Sequence, residues 1–505
     1  MGFMGALLDR ISLVRPGEWP KFILMSMMMM CILYVYSIVR ASKDAVVISM
    51  MGAELLSTIK LWGVLPSAII FMLCYTKLAD VFERTELTHI MVWFFVAFFL
   101  LFGLFLFPHA NSIHIDFSES IQSMPYLKYG LIMVGNWSYT LFYIMAELWG
   151  SAVVSLVFWQ IANQVTSVDA AKRLYPMMGF MGQIGLFASG VLMKVFTTLT
   201  AESGGWQTSL VYISVSIAVS GVIISICFKK LVALVGRDLI NGKASMDNKP
   251  KKARVKMGFK DSLVYVFSSK YICQIALLII CYGVSINLVE GVWKKCASIL
   301  YTDPNDLASF MGDVQIYTSA FAFAAMILGG YLLSIMSWRL AAMFTPIVIG
   351  ITGILFFLFV LYRDSITEYA GFLGMGALMI AGVLGAAQNI LSKSTKYAFF
   401  DPTKEMAFIP LDEELKGKGK AAADIIGGRL GKSGGAVIQF MMLQFIIGSS
   451  LISIAPYIFV IFLAVMVLWF YAVSDLSKDF EIKKAEYDII NPAGVEARGN
   501  KAAAS

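Results

Sequence analysis

Charge is scarce in this chain. Only 14% of its 505 residues are charged and 59% are apolar, at a mean hydropathy of +0.76. A soluble domain carries about 25% charge, so a water-soluble globular protein is excluded and a polytopic membrane protein is implied. Histidine is scarcer still: His89, His109 and His114 are the three, and no histidine-built metal site is expected. The cysteines (Cys31, Cys74, Cys227, Cys273, Cys281 and Cys296) lie scattered, mostly in apolar runs and without CxxC spacing. That excludes a disulfide framework and a zinc knuckle. No cleavable signal pattern and no Arg/Ser-rich transit segment is expected at the start of the sequence. A nucleotide-hydrolysing motif is also lacking. The stretch Gly427 to Gln439, GGRLGKSGGAVIQ, ends a Gly-rich run in Gly431-Lys432-Ser433. A Walker loop, however, needs glycine where Ile426 stands and a strand before it. With no acidic metal cluster and no nucleophile constellation, neither an enzyme nor a cofactor is expected. Energy would come from a gradient or from exchange.

What is present is long apolar runs. A bilayer core of about 30 Å needs roughly 20 apolar residues per helix. Runs of that length recur near 22–42, 60–77, 88–107, 127–165, 176–198, 207–228, 264–296, 310–334, 340–361, 369–396, 420–446 and 450–473. About twelve spans are expected, with the runs at 127–165 and 264–296 long enough to be tilted, kinked or continued outside the bilayer. Between Lys229 and Lys260 there are ten Lys/Arg residues against Asp238 and Asp247. Because Lys and Arg stay on the cytoplasmic side, both termini are expected there. The net charge of +7 is then mainly a topology signal. The expected divisions are a six-helix bundle over 1–228, a basic linker over 229–262, a second bundle over 263–475 and a cytoplasmic tail over 476–505.

Six spans on either side of a linker invite a search for a repeat. Asp169-Ala-Ala-Lys172 matches Asp401-Pro-Thr-Lys404. Gly179, Gly182 and Gly185 match Gly428, Gly431 and Gly434, and CILYVYSIVR aligns with CYGVSINLVE, setting Arg40 opposite Glu290. The matches favour an all-α membrane fold of two parallel six-helix pseudo-repeats, as in major-facilitator transporters, with substrate near the midplane. Glycines three apart also let a second helix approach closely.

An ionisable residue at membrane depth costs at least a few kcal/mol and marks a candidate site. Arg40, Lys43 and Asp44 share a face of the first span, and Glu147 lies well inside the fourth. Asn287, Glu290 and Lys294 share a face of the seventh. Gln388, Asn389, Lys393 and Lys396 fall in the tenth, and Asp424, Arg429 and Lys432 in the eleventh. Arg40 and Asp44, four apart, read equally well as an intrahelical pair. Lys294 and Lys396 read as snorkelling from helix ends. Such a set of buried cations suits an oligoanion, with Lys acting as a point charge and Arg binding phosphate bidentately. The carboxylates Glu147 and Glu290 would pair with the cations when the site is empty or couple to a proton. Tyr143, Trp149, Phe158, Trp159 and Trp293 could stack a base or simply pack.

YSIVRASKD, AELWGS with FWQIANQ, NLVEGVWK, KYAFFDPTKEMAFIPLD and GGRLGKSGGAVIQ resemble the ATP/ADP translocase (nucleotide transporter) family of intracellular bacteria and plastids, over about Lys21 to Asp475. The resemblance implies exchange of host ATP for internal ADP plus phosphate. It also implies that Lys43, Glu147, Glu290 and Lys432 are the charged residues important for transport. Arg40 and Arg429 would join the two lysines in holding phosphate, with Asn287 and Tyr143 as further binding residues. The implied setting is a bacterial inner membrane, with ATP, ADP and phosphate as substrates, membrane lipid around the protein, no nucleic acid and a monomeric state. The family also implies an alternative, a proton-coupled importer or an exchanger of other nucleotides or NAD.

Overall fold

The computed structural model describes residues 14–241, 267, 269–365, 376–411, 419–446 and 449–490. Twelve long helices account for most of them. α1 is Trp19–Met51, α2 Leu55–Val81, α3 Arg84–Leu106 and α4 Trp137–Val165. α5 is Val168–Thr200, α6 Gly205–Val235, α7 Lys270–Leu300 and α8 Pro304–Ile335. α9 is Trp338–Leu361, α10 Ala377–Thr395, α11 Lys420–Phe445 and α12 Ala455–Ile490. Among the described residues ten helices are long and apolar enough to cross a bilayer. The two that fall short are α10 and α11, where Gln388, Asn389 and Lys393, and Asp424, Arg429 and Lys432, dilute the apolar run.

Two expectations are refined. The run at 127–165 is not one helix: a short helix, Lys128–Gly135, ends at Asn136, and α4 begins after it. α1 runs nine residues beyond the expected 42 and stops at Gly52, whose φ of 95° lies where a side chain is disfavoured. Lys43 and Asp44 are therefore well inside a helix.

Contacts divide the chain into two units, one of Met1–Lys251 with Ala297–Ala320, the other of Lys252–Cys296 with Phe321–Ser505. In the first unit α1 is the central element, packed against α4, α5 and α6. An aromatic cluster joins α3 to α4: Phe102 and Phe142 stack at 4.0 Å, and Phe95 meets Trp149 edge-on at 5.7 Å. The Trp149 indole donates to the Ile32 carbonyl on α1. Arg173 on α5 grips Glu18, just before α1, through two hydrogen bonds of 2.8 and 3.0 Å.

In the second unit α7 and α11 run parallel with their backbones in contact. A methyl at Gly427 would lie 2.7 Å from Ile279 Cβ, one at Gly431 3.0 Å from the Ile279 carbonyl, and one at Gly435 2.6 Å from Asn287 Cβ. The seam is thus built at every fourth position. Of the glycines read at every third position, Gly431 lies in it, Gly434 touches Val284, and Gly428 faces open space. α9 packs on α10 and α12.

The glycine part of the repeat has a structural counterpart. Gly182 abuts Leu33 and Gly185 abuts Tyr34, while Gly431 abuts Gly283 and Gly434 abuts Val284. Positions that align in sequence are the ones that touch. The acidic motif fares differently. Asp169 belongs to the first turn of α5, whereas Asp401 opens a short helix, Asp401–Phe408, that continues α10. That helix has its counterpart in Trp159–Val165, because α4 and α10 share a plan: an α segment, a wider π stretch (Gly150–Phe158 and Lys396–Phe400), then a short α segment.

Two outcomes follow from these contacts. Gly435→Val overpacks the α7–α11 seam and is expected to cost about 1–3 kcal/mol, whereas Gly428→Ala leaves thermal stability in detergent equal or slightly higher; equal losses for both would refute the four-residue seam. The hydrogen bonds from Arg173 hold Glu18 below its ordinary 4.5, against the opposing effect of partial burial. A carboxyl depressed by folding stabilises the fold above its unfolded pKa, and that contribution is lost as pH falls through the folded value. Melting midpoints recorded from neutral pH downward should fall in that window, and Arg173→Ala should flatten the fall; an unchanged slope refutes the assignment.

Candidate functional site

In the first unit the sequence places Tyr143 and Glu147 four apart on α4, which sets them on one face toward α1. Lys43 meets them there. Its ammonium lies 2.9 Å from Glu147 Oε1, 3.0 Å from Asp44 Oδ1 and 3.6 Å from the centre of the Tyr143 ring. Its side chain is only 2% exposed, while that of Glu147 is 35% exposed. One cation thus carries two carboxylates and an aromatic face, and the outer carboxylate is the one within reach of solvent. At an effective dielectric of about 20, a contact at 3 Å is worth roughly 5 kcal/mol before desolvation is subtracted. Arg40, one turn before Lys43, points a guanidinium nitrogen at the Tyr36 hydroxyl, 3.4 Å away. The Tyr36 ring itself lies against Gly150, where the π stretch of α4 begins.

In the second unit Glu290 and Lys294, both on α7, pair at 2.8 Å and are both buried. The snorkelling expected of Lys294 is corrected here: α7 continues to Leu300, and the Lys294 side chain is 3% exposed with its ammonium on Glu290 of the same helix. Lys396 is corrected likewise: the helix continues through Lys396–Phe400 and Asp401–Phe408, and the lysine, 30% exposed, pairs with Asp401 at 3.1 Å. Asn287 donates to the Gly283 carbonyl and packs against Gly435, so it belongs to the α7–α11 seam. Gln439 extends that seam, its amide donating to the Asn287 and Leu288 carbonyls. Arg429 lies on α11 with its side chain exposed. Lys432 follows Gly431 on the same helix, but its side chain lies outside the described residues.

The structure therefore brings Lys43, Glu147 and Tyr143 into one cluster and sets Arg40 a turn away. Glu290 and Asn287 share a helix, Glu290 pairing with Lys294 and Asn287 donating to the Gly283 carbonyl. Asp44 and Lys294 are the residues that reading the sequence undervalued. Both sit beside a candidate at contact spacing, one residue from Lys43 and four from Glu290, and that spacing was the available signal. The aromatic residues divide as well. Trp149 and Trp293 each spend the indole N–H on a buried carbonyl, of Ile32 and Gly382, and Phe158 is fully buried. Among the described residues no group of three His, Cys, Asp or Glu side chains could hold a metal ion.

The family model for the TLC ATP/ADP transporter matches residues 5–480. This chain belongs to that family. TLC ATP/ADP transporter relatives include ADP,ATP carrier protein 1 of Rickettsia bellii, 38% identical over 487 residues, covering 94% of this chain and 97% of the relative. The fold of this TLC ATP/ADP transporter is shared with solved structures of low identity. A bacterial homologue of the iron transporter ferroportin, in an inward-facing state, matches with a TM-score of 0.57 at 14% identity, over 90% of this chain and 98% of the other. A D-xylose–proton symporter matches with a TM-score of 0.54 at 11% identity, over 91% and 97%. The major-facilitator-like architecture expected of the sequence is thus the one observed.

The geometry predicts unequal effects at the first cluster. Lys43→Met strands Asp44 and Glu147 together and is expected to cost about 3–5 kcal/mol. Glu147→Gln leaves Lys43 with Asp44 and should cost clearly less. Melting midpoints of the two purified variants check this, and equal losses would contradict the two-carboxylate arrangement.

Proposed function

We propose that this chain exchanges ATP for ADP across a bacterial inner membrane by alternating access, with phosphate accompanying ADP. The reading is supported by the family, by the name of the full-length Rickettsia relative and by a fold shared with gradient-driven transporters. A transporter rather than an enzyme is the role that follows, with both termini cytoplasmic, membrane lipid around the helices and a monomer as the working unit.

The observation that carries the mechanism is the Lys43 cluster. An ammonium already neutralised by Asp44 and Glu147 is stable without substrate, and the more exposed partner is Glu147. A phosphate oxygen arriving at Lys43 replaces Glu147, whose carboxylate is released toward water. Loading then exchanges one ion pair for another, so Lys43 is never buried alone. Glu290 plays the equivalent part for Lys294. Lys432 and Arg429 on α11, with Arg40 on α1, supply the remaining positive charge for a substrate carrying three or four negative charges. Tyr143 holds the Lys43 ammonium over its ring, and Asn287 keeps α7 and α11 in register.

Exchange also has an electrical consequence. ATP carries about one negative charge more than ADP, and one charge across 100 mV is worth about 2.3 kcal/mol, nearly fiftyfold in the exchange ratio. Phosphate travelling with ADP removes most of that bias.

The test is uptake of labelled ATP into proteoliposomes preloaded with ADP, with ADP plus phosphate, with GTP or with nothing. Uptake that requires internal ADP and responds little to an imposed potential when phosphate is present is the expected outcome. Uptake into empty vesicles that collapses with the pH gradient would instead establish a proton-coupled importer. Lys43→Ala should lower ATP exchange by roughly thirtyfold or more, the loss of at least about 2 kcal/mol from a buried charge pair, and Lys432→Ala should lower it comparably, while Lys484→Ala, exposed near the end of α12, should not.

A further inference from the structure

Most buried polar side chains of the second unit have partners, and α10 breaks the pattern. Gln388 is 0% exposed, yet neither its Oε1 nor its Nε2 has a hydrogen-bond partner. Its neighbour Asn389, also 0% exposed, donates from Nδ2 to the Gly385 carbonyl at 3.0 Å and leaves Oδ1 without a partner. Leaving such atoms unsatisfied costs on the order of 1–3 kcal/mol for each group, and native structures hold few of them, each calling for an explanation.

The place of the pair narrows what that could be. Gln388 lies one turn beyond Gly385 on a fully buried face of α10, and Gly385 takes the Trp293 indole of α7. Trp293 donates to the Gly382 carbonyl near one end of the contact, and Tyr282 stacks on Phe400 near the other. The two helices therefore run antiparallel, and interpolation between those contacts sets Glu290 level with Gln388. The orphaned amides share a depth with the buried ion pair of the same unit.

Their chemistry is specific. Two acceptors, Gln388 Oε1 and Asn389 Oδ1, and one donor, Gln388 Nε2, are unused on consecutive residues. The complement is an exocyclic amino group with two hydrogens next to a ring-nitrogen acceptor, which adenine presents and which amide side chains bind bidentately. Guanine offers a carbonyl at that position, and its oxygen would face the two amide oxygens. Cytosine shares the amino edge, so guanine is the informative competitor. We propose that Gln388 and Asn389 read the 6-amino edge of the transported adenine and reject guanine, with α10 parting from its neighbours to admit the base. This rests on the nucleotide-exchange reading above.

The experiment uses the full chain in ADP-loaded proteoliposomes, with half-saturating concentrations measured for ATP, GTP and the purine riboside triphosphate that lacks the 6-amino group. Wild type should favour ATP over both others by about five- to 150-fold, the range of a bidentate pair. Gln388→Leu should shrink both gaps toward unity with a melting midpoint equal to or above wild type, since it removes unsatisfied polar atoms from a core. Wild type taking the amino-free purine as well as ATP overturns the proposal, as does a Gln388→Leu variant that keeps its ATP/GTP gap. A marked fall in its melting midpoint also overturns it, because the amide then has a structural partner. Wild type carrying no nucleotide at all would remove the exchange reading itself; the other failures leave that reading intact and remove the base-reading site alone.

Discussion

A lysine ammonium cannot be buried alone in a membrane protein, and much of the first unit is arranged around that constraint. Lys43 is 2% exposed, and its charge is met within 3.0 Å by carboxylates from two directions. Asp44 comes with the same helix, so it is available whatever the rest of the fold does. Glu147 comes from α4, and meeting it requires α1 and α4 to hold a fixed rotation. The Trp149 hydrogen bond to Ile32 and the aromatic cluster on α3 supply that fixity. The apolar packing holds the helices close, and the ion cluster decides which faces meet.

The second unit solves the same problem inside one helix. Glu290 and Lys294 are one turn apart on the same helix and pair at 2.8 Å. The aligned positions of the first unit, Arg40 and Asp44, carry the opposite order of charge on α1. The two halves thus share a backbone plan, in the touching glycines and the interrupted fourth and tenth helices, while their ionisable residues have diverged.

The helices were legible because membrane-spanning length is a strong one-dimensional signal. All twelve long helices fall on the apolar runs, and the four charged residues singled out by the family resemblance lie on α1, α4, α7 and α11. What the sequence concealed was direction around each helix. Gly427, Gly431 and Gly435 carry the seam rather than the more visible three-residue series, since a parallel helix pair follows the four-residue row. Lys294 looked like a helix-end residue because an apolar run fades before the helix itself stops. The match between Asp169 and Asp401 failed because short motifs in loops carry no depth information. The missing hydrogen bonds of Gln388 have no sequence signature at all, for they depend on what three-dimensional packing withholds.

The glycine seam between α7 and α11 restricts how the second unit can deform. Gly427, Gly431 and Gly435 meet α7 at the same residue offset, and Ile279 and Asn287 of α7 lie in the notches they leave. Sliding one helix along the other by a residue would move the α7 side chains out of those notches and against the bulkier parts of α11. Only a shift of a whole turn, about 5.4 Å, would bring small residues opposite one another again. The pair therefore behaves as a keyed shaft: it transmits rotation and tilt as one body and forbids gradual slip. Whatever flexing transport demands of this half must be taken up along other helix boundaries.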